Sequence, residues 1–244
     1  MLKVFRKSDI GLVRKSNEDA CDGGLLQDGA VGWAVVCDGM GGAKGGNVAS
    51  SIAVEKISER IRSDYRPGLT NEETERLIIG AIGDANREVN NRAGSDDALN
   101  GMGTTVVTAV VADATAHIAH AGDSRAYLIS PDGIRQLTTD HSMVQEMVEK
   151  GDLTAQEARK HPQKNIITRA LGVEPSIRVD YREVPFAPED RLLICTDGLT
   201  NYLDEEQIFA LSGQLDAPDF ADRLVQLARD AGGSDNITVA VIVY

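Results

Sequence analysis

Seven short apolar runs punctuate this sequence, and they constrain its fold more than any other feature. They are Gly32–Asp38 (GWAVVCD), Thr104–Asp113, Thr115–Asp123, Ser124–Ser130, Ile177–Val184, Asp190–Asp197 and Asp235–Tyr244 (DNITVAVIVY). Their length and their Asp, Gly and Pro borders mark strands rather than buried helices. Asp113-Ala114 and Pro131-Asp132-Gly133 read as turns joining neighbouring strands, so at least part of the sheet is expected to be antiparallel.

Helical stretches lie between these runs. Apolar residues recur near helical spacing in NVASSIAVEKISERI, which predicts a helix from about Asn47. Thr70 with Glu73 matches a capping box opening a long helix toward Asn90, and Thr154 with Glu157 opens a short one. Asp204 with Gln207, and Asp216, begin two more. Strands alternate with paired helices rather than single ones. The expectation is an α+β fold with two sheets covered by helices, in preference to a doubly wound sheet.

Apolar residues make up 42% of the 244, enough for a sizeable core. Acidic residues outnumber basic ones 38 to 25, giving a net charge of −13. Nucleic acid and anionic membranes are therefore poor partners. No run approaches the roughly 18–20 apolar residues of a membrane span. The first residues also lack the apolar segment of a secretory signal. Cys21, Cys37 and Cys195 stand far apart with no zinc-like spacing, which fits a reducing cytoplasm.

Aspartates sit where apolar strands meet loops. Asp38 follows AVVC, Asp197 follows LLICT, Asp235 precedes NITVAVIV, and Asp123 lies between two apolar runs. A carboxylate beside a buried strand is costly without a partner. Taken singly, each could cap a turn or a helix. Gathered together they would repel one another, and a hard divalent cation with oxygen ligands is the natural remedy. Gly39 permits a tight turn after Asp38, and Gly41, Gly42, Gly45 and Gly46 would let the following loop pass close to such a site. The run lacks Gly-Lys-Ser/Thr and Gly-x-Gly-x-x-Gly, so neither nucleotide-binding loop is present. Upstream, VRKSNEDA supplies Arg14, Glu18 and Asp19. An arginine there could take two phosphate oxygens through its planar fork, or lie in a solvated turn.

These residues fall into a series of motifs: DIGLVRKSNEDA, VVCDGMGG, GMGTTVV, AGDSRAYL, LLICTDGL and GGSDNITVAVI. In that order they resemble the metal-dependent serine/threonine protein phosphatases of type 2C, in their compact bacterial form, nearly end to end. The resemblance implies one catalytic domain over 1–244, a β-sandwich with a helix pair on each outer face and metals at one end. It implies two Mn²⁺ or Mg²⁺ ions, with Asp38 bridging them, the Gly39 carbonyl on one, and Asp197 and Asp235 completing the first ion's shell. Asp123, with Asp197, matches the site of a third, weaker ion. Glu18 and Asp19 resemble residues that act on the ions through water, and Arg14 the contact to substrate phosphate. The implied reaction is hydrolysis of phosphoserine or phosphothreonine on proteins, by attack of a metal-bridging water or hydroxide, in a cytoplasmic monomer opposing a bacterial serine/threonine kinase. Two other functions share these features: a phosphatase dedicated to an anti-sigma-factor antagonist, and a non-catalytic module that binds phosphoproteins or regulates a kinase. The complete aspartate set argues against the latter.

Several eukaryotic relatives carry histidine after Asp-Gly, where this chain has Met40, which cannot donate a proton. Cys37 and Cys195 read as core residues, and none of the histidines His117, His120, His141 and His161 carries a metal-ligand reading. Residues 141–171 resemble the family's flap, with breaks at Gly151 and Pro162. Its Lys160, Lys164 and Arg169 could meet a phosphorylated substrate.

Overall fold

Strand alternation sorts the apolar residues onto three faces. In β3 (Val31–Met40), Trp33, Val35 and Cys37 point one way and Ala34 and Val36 the other. A computed structural model describes the chain over residues 1–244, with side chains described at every position except 42–44.

The first sheet has the order β1 (Lys3–Asp9), β11 (Ile237–Val243), β10 (Arg191–Cys195), β7 (Arg125–Ser130) and β8 (Gly133–Gln136). The second runs β2 (Asp19–Leu26), β3, β5 (Val106–Ala112), β6 (Thr115–Ala121) and β9 (Asp180–Pro185), with the short β4 (Gly103–Thr104) also on β3. Every pairing is antiparallel. The β5–β6 hairpin turns on Asp113 and Ala114, both at positive φ (47° and 56°), the pairing a two-residue type I′ turn requires.

Between the sheets lie Ala34, Val36, Ala109, Ile118, Ile194 and Ala240, a layer rich in small side chains. On the outer face of the second sheet, α1 (Gly42–Asp64) and α2 (Asn71–Ser95) bury Ile57, Ile61, Ile78 and Ile82 against Trp33 and Val110. On the outer face of the first, α5 (Asp197–Thr200), α6 (Glu205–Ser212) and α7 (Ala217–Asp230) bury Leu199, Ile208, Phe220 and Leu224 against Leu193 and Val239. The result is four layers, α-β-β-α. The capping boxes at Thr70, Thr154 and Asp204 form as their residue types predict. Among the described residues no helix is long and apolar enough to cross a membrane.

Three features differ from the sequence reading. Strands β1 and β2 have no counterpart in it, because their residues are largely polar and only partly buried. Asp38 lies inside β3 rather than at its end, since the strand continues through Met40 to pair with β4. Helix α1 begins at Gly42 rather than near Asn47, so Gly45 and Gly46 are helical. Their lack of a side chain serves close packing: a Cβ on Gly45 would stand 2.9 Å from the Met102 Cβ, and one on Gly46 2.5 Å from Glu18 Oε2. The expectation for Gly42 lies outside the described side chains.

Candidate metal centre

The strand registers bring the aspartates to one end of the sandwich. Asp19 opens β2 and pairs directly with Asp38 on β3. In the other sheet Arg125, Cys195 and Val239 are register partners, so the residues just beyond them in the chain, Asp123, Asp197 and Asp235, emerge side by side. Asp197 is the first residue of α5.

Threonines and asparagines fix this geometry. The Asp38 N–H donates to Thr105 Oγ1 (2.9 Å), and its carbonyl accepts from Thr105 N (2.9 Å) and Thr104 Oγ1 (2.9 Å). Asp19 Oδ2 accepts from the Thr196 hydroxyl (2.9 Å), and Asp197 Oδ2 from Asn201 Nδ2 (3.0 Å). Asn236 acts as a bracket for the amino-terminal loop. It donates to the carbonyls of Ile10 and Ser16 (3.0 Å each) and accepts from the Glu18 N–H (2.8 Å). Sequence reasoning overlooked this residue, although a polar side chain between Asp235 and an apolar strand was the available signal.

The carboxylates are crowded and short of partners. Burial, then the nearby charges of Asp19, Asp197, Asp123 and Asp235, raises Asp38 well above the usual carboxylate range. Burial, with Asp197 and Asp235 nearby, pushes Asp19 up to about 7 despite its hydroxyl donors. Burial and Asp197 push Asp123 up to about 8. Burial and Asp235 raise Asp197, against the hydrogen bond from Asn201. Asp19 Oδ1 and Asp197 Oδ1 are buried without a hydrogen-bond partner. Burying such oxygens without a partner is unfavourable, and an all-oxygen donor set with free lone pairs suits a hard cation. These residues fit the ions that the sequence implies.

The remaining predicted residues adjoin this cluster. Arg14 Nη2 lies 2.8 Å from Asp235 Oδ2, and that hydrogen bond raises its pKa. Glu18 binds the Gly39 N–H through its carbonyl (3.1 Å) and sets its side chain over Gly46. Gly39 has no room for a side chain: a Cβ would collide with the Gly46 carbonyl and stand 2.6 Å from that of Glu18. Met40 packs beside Gly103, opposite which it pairs. Cys37 and Cys195 are buried, and burial raises both thiols, Cys195 to about 12. They are core residues.

A cleft of about 510 Å³ opens from Asp123 and Asp197. Its far wall is the stretch containing α3 (Met143–Lys150) and α4 (Ala155–Lys160), broken at Gly151 in the left-handed conformation and just before Pro162. Lys164 reaches back from this stretch to Asn201 Oδ1 (2.6 Å), whereas Arg169 pairs with Asp180 and faces elsewhere. Lys160 is absent from the cleft lining.

A second group of donors escaped the sequence reading. His120, His141 and Asp180 place ligand atoms within 4.8 Å of one another and could hold a metal ion. They come from β6, the β8–α3 connection and β9, so no local spacing announces them.

Two antiparallel sheets between helix layers, with a buried carboxylate cluster at one end, define a class of metal-dependent hydrolase. The comparisons narrow it. Residues 13–238 match the model of the protein phosphatase 2C family. A serine/threonine phosphatase stp of Listeria innocua is 41% identical over 97% of this chain and 93% of its own length. The crystal structure of serine/threonine phosphatase Stp1 from Staphylococcus aureus superposes with a TM-score of 0.92 at 34% identity, covering 100% of this chain and 95% of that one. The catalytic domain of serine/threonine protein phosphatase PstP, in complex with two manganese ions, superposes with a TM-score of 0.83 at 31% identity, covering 99% and 97%. The chain belongs to the protein phosphatase 2C family, and its activity is that of a metal-dependent phosphatase.

Proposed function

We propose that this chain hydrolyses phosphoserine and phosphothreonine on signalling proteins, opposing a bacterial serine/threonine kinase. It works as a monomeric catalytic domain over 1–244, with residues 141–171 as a flap beside the cleft. The observation that carries this reading is the gathering of Asp19, Asp38, Asp123, Asp197 and Asp235 around buried, unpartnered oxygens, with one arginine at the edge.

Asp38, the Gly39 carbonyl, Asp197 and Asp235 would hold two Mn²⁺ or Mg²⁺ ions, and Asp123 with Asp197 a third, weaker one. Glu18 and Asp19 would act on them through water. When bound, such ions activate water at neutral pH and neutralise charge on phosphoryl oxygens. Arg14 then has two states. Beside bare Asp235 it is an ion-pair partner; once Asp235 is otherwise neutralised, its planar fork is free to grip two phosphate oxygens and orient the phosphoester. Met40 carries no proton to give, so the proton for the departing oxygen has to come from another group or from a water held near Asp123. The relatives named above as serine/threonine phosphatases support the substrate class.

The test is hydrolysis of phosphoserine, phosphothreonine and phosphotyrosine peptides with chelator and with Mn²⁺, using Asp38→Asn as control. Turnover of the first two only with Mn²⁺, lost in the variant, is the expected result. Undiminished turnover in excess chelator would refute the reading.

A further inference from the structure

We infer that His141 is a positioning residue that fixes the turn carrying Asp123 and ties both ends of the 141–171 segment to that turn. The functional half of this inference rests on the reading of Asp123 as a cation ligand.

His141 is buried and grips Gly122 twice. Its backbone N–H donates to the Gly122 carbonyl (2.9 Å), and the Gly122 N–H donates to its Nδ1 (3.0 Å). An imidazole whose Nδ1 accepts must carry its proton on Nε2 when neutral. Nε2 faces Asp180 Oδ2 at 3.2 Å. Asp180 Oδ1 in turn accepts from Arg169 Nη1 (2.7 Å), and the His141 carbonyl accepts from the Thr168 N–H (2.8 Å). The two ends of the segment therefore meet at His141, directly through its backbone carbonyl and indirectly through Asp180, which bridges its ring to Arg169. His120 stacks on that ring, centroids 4.7 Å apart and planes 6° from parallel, and its Nε2 lies 2.9 Å from the Thr139 carbonyl.

On its other side the turn is just as confined. Gly122 adopts φ +109°, and the Cβ it lacks would stand 2.6 Å from Thr105 Cγ2. Thr105 is the residue whose hydroxyl holds the Asp38 N–H. The Gly122–Asp123 turn is thus pinned between His141 and the strand neighbour of Asp38, and among the described residues it is the His141 side chain that links it both to the 141–171 segment and to β9.

The same side chains could hold a metal ion. Their hydrogen bonds favour the brace: Nδ1 and Nε2 of His141 and both Asp180 oxygens are engaged, and the Arg169 guanidinium occupies the carboxylate a cation would need. Removing the ring should loosen Asp123, and with it the weakest-held ion, while Asp38, Asp197 and Asp235 keep theirs.

The experiment compares the full chain with His141→Ala, His141→Asn, His141→Gln and Asp123→Ala. Asn places an amide oxygen where Nδ1 stands and keeps the Gly122 bond; Gln reaches one bond farther and keeps only the Asp180 contact. Amide hydrogen exchange at Gly122 is read in the metal-free protein, and Mn²⁺ and Zn²⁺ binding by calorimetry. Loss of one buried hydrogen bond should speed Gly122 exchange about tenfold in His141→Ala. The weakest Mn²⁺ phase should weaken by about the same factor, the tighter phases staying in place. His141→Asn should restore both readouts and His141→Gln neither, a contrast that decides the matter even if the Ala variant does not fold. Unchanged Gly122 exchange in His141→Ala and His141→Gln overturns the inference. So does an unchanged Mn²⁺ profile in those variants when Asp123→Ala alters it. If Asp123→Ala alters no Mn²⁺ phase, the ligand reading of Asp123 fails and takes the functional half with it. Tight Zn²⁺ binding that survives Asp123→Ala and vanishes in His141→Ala would replace the brace with a metal site.

Discussion

Arg14 and Asp235 meet at 2.8 Å at the edge of the carboxylate cluster, although they stand 221 positions apart in the chain. The arginine is half exposed, at 50%, so the pair is screened by solvent and adds little to stability. Its significance is competitive, because the carboxylate that holds the arginine is one of those we propose as ligands for the divalent ions.

Arg14→Ala should therefore separate phosphate binding from metal binding. Loss of a charge-assisted contact to phosphate costs about 1.5–3 kcal/mol, so kcat/KM for a phosphopeptide should fall roughly 10- to 100-fold. Thermal stability should change by less than about 1 kcal/mol. Mn²⁺ affinity by calorimetry should hold or tighten, since Asp235 loses its competitor. Steady-state kinetics with equal kcat/KM in both proteins would remove Arg14 from the phosphate site.

Asp38→Asn should stabilise the metal-free protein while abolishing turnover. The carboxylate is buried among Asp19, Asp197, Asp123 and Asp235, and an amide of the same shape removes both the cost of desolvating its charge and its share of the repulsion. Unfolding temperature in chelator should rise, by about 2–4 °C for each kcal/mol relieved in a chain of this size. The gain on adding Mn²⁺, large in the parent through linkage, should shrink toward nothing. A variant that melts below the parent in chelator would show that Asp38 is not repelled.

The same crowding sets a pH dependence of definite sign. Asp123 and Asp19 titrate at about 8 and about 7 in the fold and near 3.8 when unfolded, so the folded state binds more protons between these limits. Stability of the metal-free protein should then increase as pH falls from about 8. Buried His117, His120 and His141 work oppositely: their folded pKa lies below the ordinary 6.5, and the unfolded chain takes up protons first below that value. The carboxylate effect is thus clearest between pH 8 and 6.5. Chelated protein should melt higher at 6.5 than at 8, and saturating Mn²⁺ should reverse the order because cations displace those protons. Melting curves at the two pH values, with and without metal, decide it.

How much of this was legible in the sequence follows from the range of the interactions. Strands buried on both faces, such as β5 with VVTAVVA, announce themselves by composition, and capping boxes such as Thr70–Glu73 by local spacing. Strand β1, KVFRKSD, holds its place through its register with β11 rather than through its own apolar content, so nothing local marks it. The aspartates were visible as costly residues beside apolar runs, but their convergence depends on cross-strand register, such as Asp19 opposite Asp38. The glycine run was misjudged as loop for the same reason. At Gly45 and Gly46 the crowding neighbours are Met102 and Glu18, which the run itself does not contain.

Those glycines give a prediction in which two similar changes act in opposite directions. At Gly39 an added Cβ meets the backbone carbonyls of Gly46 in α1 and of Glu18 just before β2, and backbone atoms cannot swing aside. Gly39→Ala should force strand and helix apart, costing about 1–3 kcal/mol or more, as overpacking does. Displacing the residue between Asp38 and the helix should also weaken Mn²⁺ binding. Gly83, inside α2, has only Arg87 Nη1 at 3.9 Å from the Cβ position, ordinary contact with the end of a flexible side chain. Gly83→Ala should stabilise the protein by about 0.5–1 kcal/mol, because alanine restricts the unfolded chain and favours helix. Melting temperatures measured in chelator and in Mn²⁺ would show both. Equal effects at the two sites would mean that the Gly39 backbone is not held between α1 and β2.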